Sequence, residues 1–186
     1  KNGDEVHPEE SQWWDPADEA LGEPTLEAPA RRQRIRDLLS DAVALRMRSD
    51  VAYGAFLSGG IDSSAVVGLM SEVSSQPVST FSVKFDEKEL DESTWSRLVA
   101  KRFGTDHHEI RLTPGDFLAE VADGLGAMDH PSADGLNTYV VSGATRRAGV
   151  KVALSGLGGD ELFAGYPVFE RSARLAKLNW LGSWPK

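Results

Sequence analysis

Tyr53-Gly-Ala-Phe-Leu-Ser-Gly-Gly-Ile-Asp-Ser-Ser-Ala-Val-Val-Gly-Leu-Met70 reads as a buried strand that runs into a glycine-rich turn and then a helix. Residues 53–57 form a short apolar run of strand length, and 58–60 supply the turn. From Ser63 onward the apolar residues Ala65, Val66, Leu69 and Met70 fall at helical spacing. Such a junction aims free backbone N–H groups and the positive helix end at one point, which makes an anion site. Gly59 and Gly60 let the backbone approach an anion closely, while Ser58, Ser63 and Ser64 add hydroxyl donors.

A Walker A loop needs a lysine to reach the β- and γ-phosphates, and no lysine lies near positions 58–64. The loop is therefore expected to hold phosphate through N–H and hydroxyl donors, with Asp62 placed for a magnesium ion. Ser58-Gly-Gly-Ile-Asp-Ser63 resembles the SGG-x-DS loop of the PP-loop ATP pyrophosphatases, which cleave ATP between the α- and β-phosphates. The alternative is a Gly/Ser-rich turn without a ligand.

Residues 151–154 (Lys-Val-Ala-Leu) read as a second buried strand, ending in Ser155-Gly-Leu-Gly-Gly-Asp-Glu-Leu-Phe-Ala-Gly-Tyr166. Three glycines before an acidic pair suit a tight loop at a strand's carboxyl end, where open α/β sheets place ligands. Together the two loops resemble the synthetase domain of the glutamine-dependent asparagine synthetase family. Phe103-Gly-Thr-Asp-His-His-Glu109 and Asp129-His-Pro-Ser-Ala-Asp134, leading into Asn137-Thr-Tyr139, resemble the same family in the same order. Any one of these segments alone is a weak signal; four in order are a strong one.

The chain's 186 residues suit one domain with a proper core. Its net charge of −9 argues against nucleic acid as main partner, because phosphate backbones need a basic face. Divalent cations are then expected to offset phosphate charge at a nucleotide site. The sequence has no cysteine, which excludes disulfides and thiolate metal sites and fits a cytoplasmic location. No apolar run approaches membrane-spanning length, and the polar amino terminus does not read as a signal peptide, so no membrane partner is expected.

Residues 1–29 are acidic and carry Pro8, Pro16, Pro24 and Pro29, which reads as a linker or extended arm. Trp13 and Trp14 are its bulky anchors, for docking on a neighbouring domain or on this one. Residues 30–186 read as the synthetase domain. An amphipathic helix is expected over about 30–47, with Arg31, Arg32, Arg34 and Arg36 on a solvated face. Strands are expected at 78–85 and 107–112, and helices at 93–103, 114–125 and 136–148. A further helical stretch is expected over 160–182. Strands alternating with helices give right-handed βαβ units and an α/β fold: a doubly wound, mostly parallel sheet flanked by helices. Both chain ends look cut, so the domain is expected to be truncated at its carboxyl end.

Asp62 and Asp160 follow glycine loops at strand ends, and magnesium takes one or two carboxylates together with phosphate oxygens and water. The alternative for each is an acid that stabilises a helix dipole. Glu161 is open between metal contact and helix capping. His107 and His108 point to opposite faces of a strand, which argues against a metal site and for local hydrogen bonds. The acidic run Asp86, Glu87, Glu89, Asp91 and Glu92 reads as a solvated loop that caps the helix starting near Ser93.

The family resemblance implies further roles. Leu57 and Val83 take the positions that line the adenine, partly through backbone groups, with ordinary core as the alternative. Ser155 and Gly156 take positions beside the nucleotide and the activated acid, or form only a turn. His130 and Asp134 border the substrate pocket. The implied reaction is ATP-dependent: a carboxylate, aspartate or a related acid, forms an acyl-adenylate with release of pyrophosphate. Ammonia from glutamine then displaces AMP. ATP and Mg2+ are the implied cofactors, and a glutaminase domain outside residues 1–186 is the implied partner. The oligomeric state stays open, a homodimer being one expectation.

One departure stands out. The family commonly places an acid where this chain has Leu157, and leucine can neither carry charge nor orient ammonia. That favours a relative that amidates or cyclises another carboxylate, on a saccharide, peptide or antibiotic precursor. Two other readings remain: a non-catalytic nucleotide-binding module, and a sulfur-inserting or tRNA-modifying ligase, whose usual basic face or cysteines are missing. The isolated 186 residues are expected to be inactive even if they bind nucleotide.

Overall fold

The computed structural model describes residues 11–13, 15, 26–84, 92–132 and 134–177. The chain divides into two compact units, Lys1–Leu38 and Leu39–Lys186. The division falls inside α1 (Ala28–Arg46). In the first unit, Gln12 Nε2 donates to Asp15 at 2.8 Å, and Gln33 donates to Asp37 one helical turn on. Most of the expected arm over 1–29, Trp14 included, lies outside the described residues.

The second unit is a parallel sheet of four strands: β1 (Tyr53–Phe56), β2 (Ser79–Lys84), β3 (Asp106–Arg111) and β4 (Val152–Leu154). The strand order is β3-β2-β1-β4, with Gly54 opposite both Ser79 and Ala153. Between the strands run α2 (Ile61–Val73), α3 (Ser93–Phe103), α4 (Pro114–Gly126) and α5 (Gly135–Arg147). The chain steps outward from β1 to β2 to β3 and then returns past β1 to β4. Right-handed crossovers place α2 and α3 on one face, and the crossover through α4 and α5 on the other. α2 packs on α3 and α4 packs on α5, in keeping with this doubly wound arrangement.

The core forms where α2 lies on β1. Ala55, Leu57, Val67 and Met70 are almost wholly buried, joined by Val43 and Met47 from the end of α1 and by Val78 and Ala100. Burying a side chain such as Leu57 or Met70 contributes about 1.5–3 kcal/mol. Leu57 extends β1 by one further backbone bond, its N–H donating to the Phe81 carbonyl at 2.8 Å.

Four local expectations are revised. The strand expected to be buried at 151–154 is only half-buried at Ala153 and Leu154 and exposed at Lys151 and Val152, because β4 lies at the edge of the sheet. α2 starts at Ile61, two residues earlier than apolar spacing suggests, because Gly60 already accepts the first helical bond from Ser64 N–H at 3.0 Å. The helical stretch after Asp160 is broken into α6 (Gly159–Phe163) and α7 (Pro167–Ala176), and residues 178–182 lie outside the described ones. The break is local: Ala164 adopts φ 58, and Tyr166 is extended ahead of Pro167. At α3, Glu92 holds the cap position without a side-chain cap bond, and its carbonyl accepts from Trp95 and Ser96 instead. The rest of that acidic run lies outside the described residues.

Candidate functional site

β1 and β4 are adjacent, and the sheet changes direction between them, so their carboxyl ends form the crevice where α/β sheets bind ligands. The two glycine loops meet there. A cleft of about 640 Å³ is lined by Ser58, Gly60, Asp62 and Ser63 from the first loop. Ser155, Gly156, Leu157, Gly159 and Asp160 line it from the second, with Phe56, Ile61, Phe163 and Gly165 around them.

The loops touch at backbone distance. A Cβ on Gly156 would stand 2.6 Å from the amide nitrogen of Ser63, and one on Gly159 would overlap the Asp62 carboxylate. Only glycine permits the second strand's loop to close over the start of α2 in this way. In that first turn the amides of Ile61, Asp62 and Ser63 have no carbonyl inside the helix to bond. The Ser58 and Ser63 hydroxyls bond each other at 3.0 Å; Ser58 Oγ also accepts from Gly60 N–H at 3.2 Å. They hold the loop's shape while remaining on the cleft wall.

A smaller pocket of about 200 Å³ shares Phe56 and Ser58 with the cleft and runs along the ends of β1 and β2. Leu57 and Val83 line it, beside Phe81, Ser82, Glu92, and Asn137 and Val141 of α5. Leu57 is buried, and Val83 is half-buried. Ser64 and Gly59 line neither space: Ser64 continues α2, and Gly59 turns away with φ 90. His130 and Asp134 also stand outside both pockets; Asp134 instead bonds Asn137 and Thr138 at the start of α5. Phe56, Phe163 and Val141 had no role assigned from sequence, because they reach the two pockets through strand order and crossover; Asn137 belongs to a family-like segment but carried no expected role.

The acidic end of the cleft has a readable field. Tyr166 donates its hydroxyl to Glu161 at 2.9 Å. That bond first, then lost hydration, then the charges of Glu161, Asp160 and Asp62 hold its pKa above the ordinary phenol value. Among the described residues no three His, Cys, Asp or Glu side chains converge as a metal cage. What the cleft offers is two carboxylates on opposite loops, the donor number magnesium takes when phosphates and water fill the remaining positions. The residues present therefore fit a magnesium–phosphate pair better than a bare ion.

The histidines lie apart from this cleft. His107 bonds Thr80 Oγ1 at 2.9 Å and Ser82 Oγ at 3.2 Å, while His108 stacks on Phe81 with ring centroids 5.1 Å apart. Burial lowers the His107 pKa, with Glu109 opposing that shift. Glu109 itself is held low, first by its hydrogen bond with Arg97.

Fold and site define an α/β protein with an acidic, glycine-walled cleft at a topological switch point. The family model for asparagine synthase matches residues 34–184, and the chain belongs to that family. A putative glutamine-hydrolysing asparagine synthetase 2 of Methanocaldococcus jannaschii is 46% identical over 134 residues, covering 70% of this chain and 26% of that protein. Glutamine-hydrolysing asparagine synthetase 1 of Bacillus subtilis is 35% identical over 145 residues, covering 77% and 23%. The chain thus spans about a quarter of the length of these relatives. An NH3-dependent NAD synthetase from Campylobacter jejuni superimposes with a TM-score of 0.47 at 17% identity, over 72% of this chain and 60% of that one. Among the described residues no helix is long and apolar enough to cross a membrane.

Proposed function

We propose that this chain is the nucleotide-binding portion of an ATP-dependent, amide-forming ligase. In the reaction, a substrate carboxylate oxygen attacks the α-phosphorus of ATP, the bond to the β-phosphate oxygen breaks, and pyrophosphate leaves. The resulting acyl-adenylate is then attacked by ammonia or an amine, which forms the amide and expels AMP. The observation that carries this reading is the meeting of the two glycine loops, which puts Asp62 and Asp160 on one cleft. Membership of the asparagine synthase family supports the ligase class.

Each group has a physical role in this scheme. The first-turn amides of α2, with Ser58 and Ser63, bind the departing pyrophosphate, where donors aimed at developing charge contribute most. Asp62 and Asp160 hold magnesium against the phosphates; when bound, it neutralises their charge and fixes their orientation. Leu57 and Val83 enclose the adenine in the smaller pocket. Ser155 and Gly156 border the acyl group, while Gly59 and Ser64 shape the loop from behind. Ammonia comes from glutamine through a glutaminase domain that is not among these residues, as the names of the relatives suggest. A cytoplasmic enzyme, homodimeric or not, fits the same reading.

A second reading concerns the acid. Leu157 lines the cleft and is largely exposed to it, so the wall beside the acyl group is apolar where the family commonly carries charge. That favours a carboxylate other than aspartate. Phosphorus NMR of the complete protein with ATP, magnesium and a panel of carboxylic acids tests both points. AMP and pyrophosphate are the expected products, and an acid other than aspartate is expected to give them fastest. ADP with inorganic phosphate would contradict the scheme, and aspartate as the best acid would contradict the second reading.

A further inference from the structure

Beneath the first glycine loop runs a line of hydroxyls, partly to wholly buried, centred on the half-buried imidazole of His107. Thr105 Oγ1 bonds Thr80 Oγ1 at 2.9 Å, Thr80 bonds His107 Nδ1 at 2.9 Å, and His107 Nε2 bonds Ser82 Oγ at 3.2 Å. Ser96 Oγ of α3 donates to the Ser93 carbonyl at 3.1 Å and stands 3.5 Å from Ser82 Oγ, a longer contact at the end of the line. Thr80 and Ser96 are wholly inaccessible to solvent, and Ser82 nearly so. None of these residues lines the main cleft; Ser82 also lines the smaller pocket, and the scheme gives the others no role.

The line ends where the loop rests. Gly59, with φ 90, lies so close to the first turn of α3 that an added Cβ would stand 2.5 Å from Trp95 Cβ and 2.7 Å from Ser96 N. The loop's outer wall is therefore the backbone of residues 95–96, and the side chain of Ser96 ties that backbone to β2. The geometry points to Ser96 and His107 as positioning residues that hold the turn of α3 against Gly59 and so set the loop's amides toward phosphate. Buried polar groups that are all satisfied rigidify their surroundings, whereas hydroxyls left unpaired loosen them. Among the described residues no buried side-chain polar atom lacks a partner, so the line is complete. His107 accepts at one ring nitrogen and donates at the other, which lets it join hydroxyls on both sides. A phenyl ring, flat and aromatic but without nitrogens, breaks the line at its centre.

This inference rests on the reading of residues 58–60 as the pyrophosphate loop, but its first readout needs no ligand. Amide hydrogen exchange of the complete protein is compared for wild type, Ser96→Ala, His107→Phe and Thr145→Ala. Thr145 is an equally buried hydroxyl that bonds the Val141 carbonyl at 2.9 Å, away from the loop. Ser96→Ala and His107→Phe are expected to speed exchange at residues 58–60 about tenfold, the scale of one lost buried hydrogen bond. Thr145→Ala is expected to leave that segment unchanged. The same two variants are expected to raise the KM for ATP about tenfold while kcat changes less. Exchange at 58–60 no faster than in Thr145→Ala would overturn the positioning role. If His107→Phe does not fold, Ser96→Ala decides alone. Faster exchange together with no turnover of ATP by wild type would uphold the positioning role and sink the functional reading instead.

Discussion

At the scale of single residues, Gly159 carries one of the tight demands in the cleft. Its hydrogen faces the Asp62 carboxylate, and a methyl in that place overlaps the carboxylate itself. Gly159→Ala must therefore push Asp62 off its position or pull the two loops apart. A shift of about 1 Å at a reacting group costs about a hundredfold in rate, so kcat/KM is expected to fall by about that factor. Thermal melting should barely move, since Gly159 sits in a mostly exposed segment. Steady-state kinetics beside a melting curve checks both halves. Unchanged kinetics would mean that Asp62 is not held by the opposing loop. The glycines at 59, 60, 156 and 159 were legible in the sequence as loop residues. What they face was not, because Gly156 and Gly159 meet Asp62 and Ser63 from far along the chain, and Gly59 meets Trp95 and Ser96 of another element.

At the scale of elements, β1, the first loop and α2 were readable from one apolar run, two glycines and a helical period. The break at residues 164–166 was not, because Ala164 enters the left-handed region against its own preference and only the fold imposes it. The local hydrogen bonds expected of His107 are present, but their extension into a line through Thr80 and Ser82 was not legible, because those two hydroxyls look like ordinary strand residues. That line carries a pH signature. Burial lowers the folded-state pKa of His107 below the unfolded value of about 6.5. Glu109 opposes the shift, while His108 and Arg97 add to it. The unfolded chain therefore binds the proton first. The contribution to stability is complete above about pH 6.5 and is lost as pH falls through the folded pKa. His107→Phe is expected to flatten the stability curve below pH 6.5, as read by urea unfolding at several pH values. An unchanged slope would show that another group sets it.

At the scale of the whole molecule, the decisive event is the reversal in strand order. β2 and β3 build outward from β1, and the long crossover through α4 and α5 brings β4 back to the other side. Two glycine loops far apart in sequence thereby share one crevice. Alternating strands and helices made the parallel sheet foreseeable. The neighbour of β1 was not, since strand order depends on crossover packing. Asn137 and Val141 join the smaller pocket for the same reason. The family match spans nearly all of the second unit, while the matched stretch covers only 26% of the Methanocaldococcus jannaschii relative. In the proposed reading, the sheet contributes the nucleotide site of a larger ligase.

That contribution is measured most directly by ATP–pyrophosphate exchange in the complete protein, with a panel of carboxylic acids, comparing wild type with Asp62→Asn. Exchange that depends on an acid in wild type, and falls by at least about a hundredfold in the variant, is the predicted result. Nucleotide binding without exchange for any acid, or exchange that Asp62→Asn leaves intact, would contradict the account.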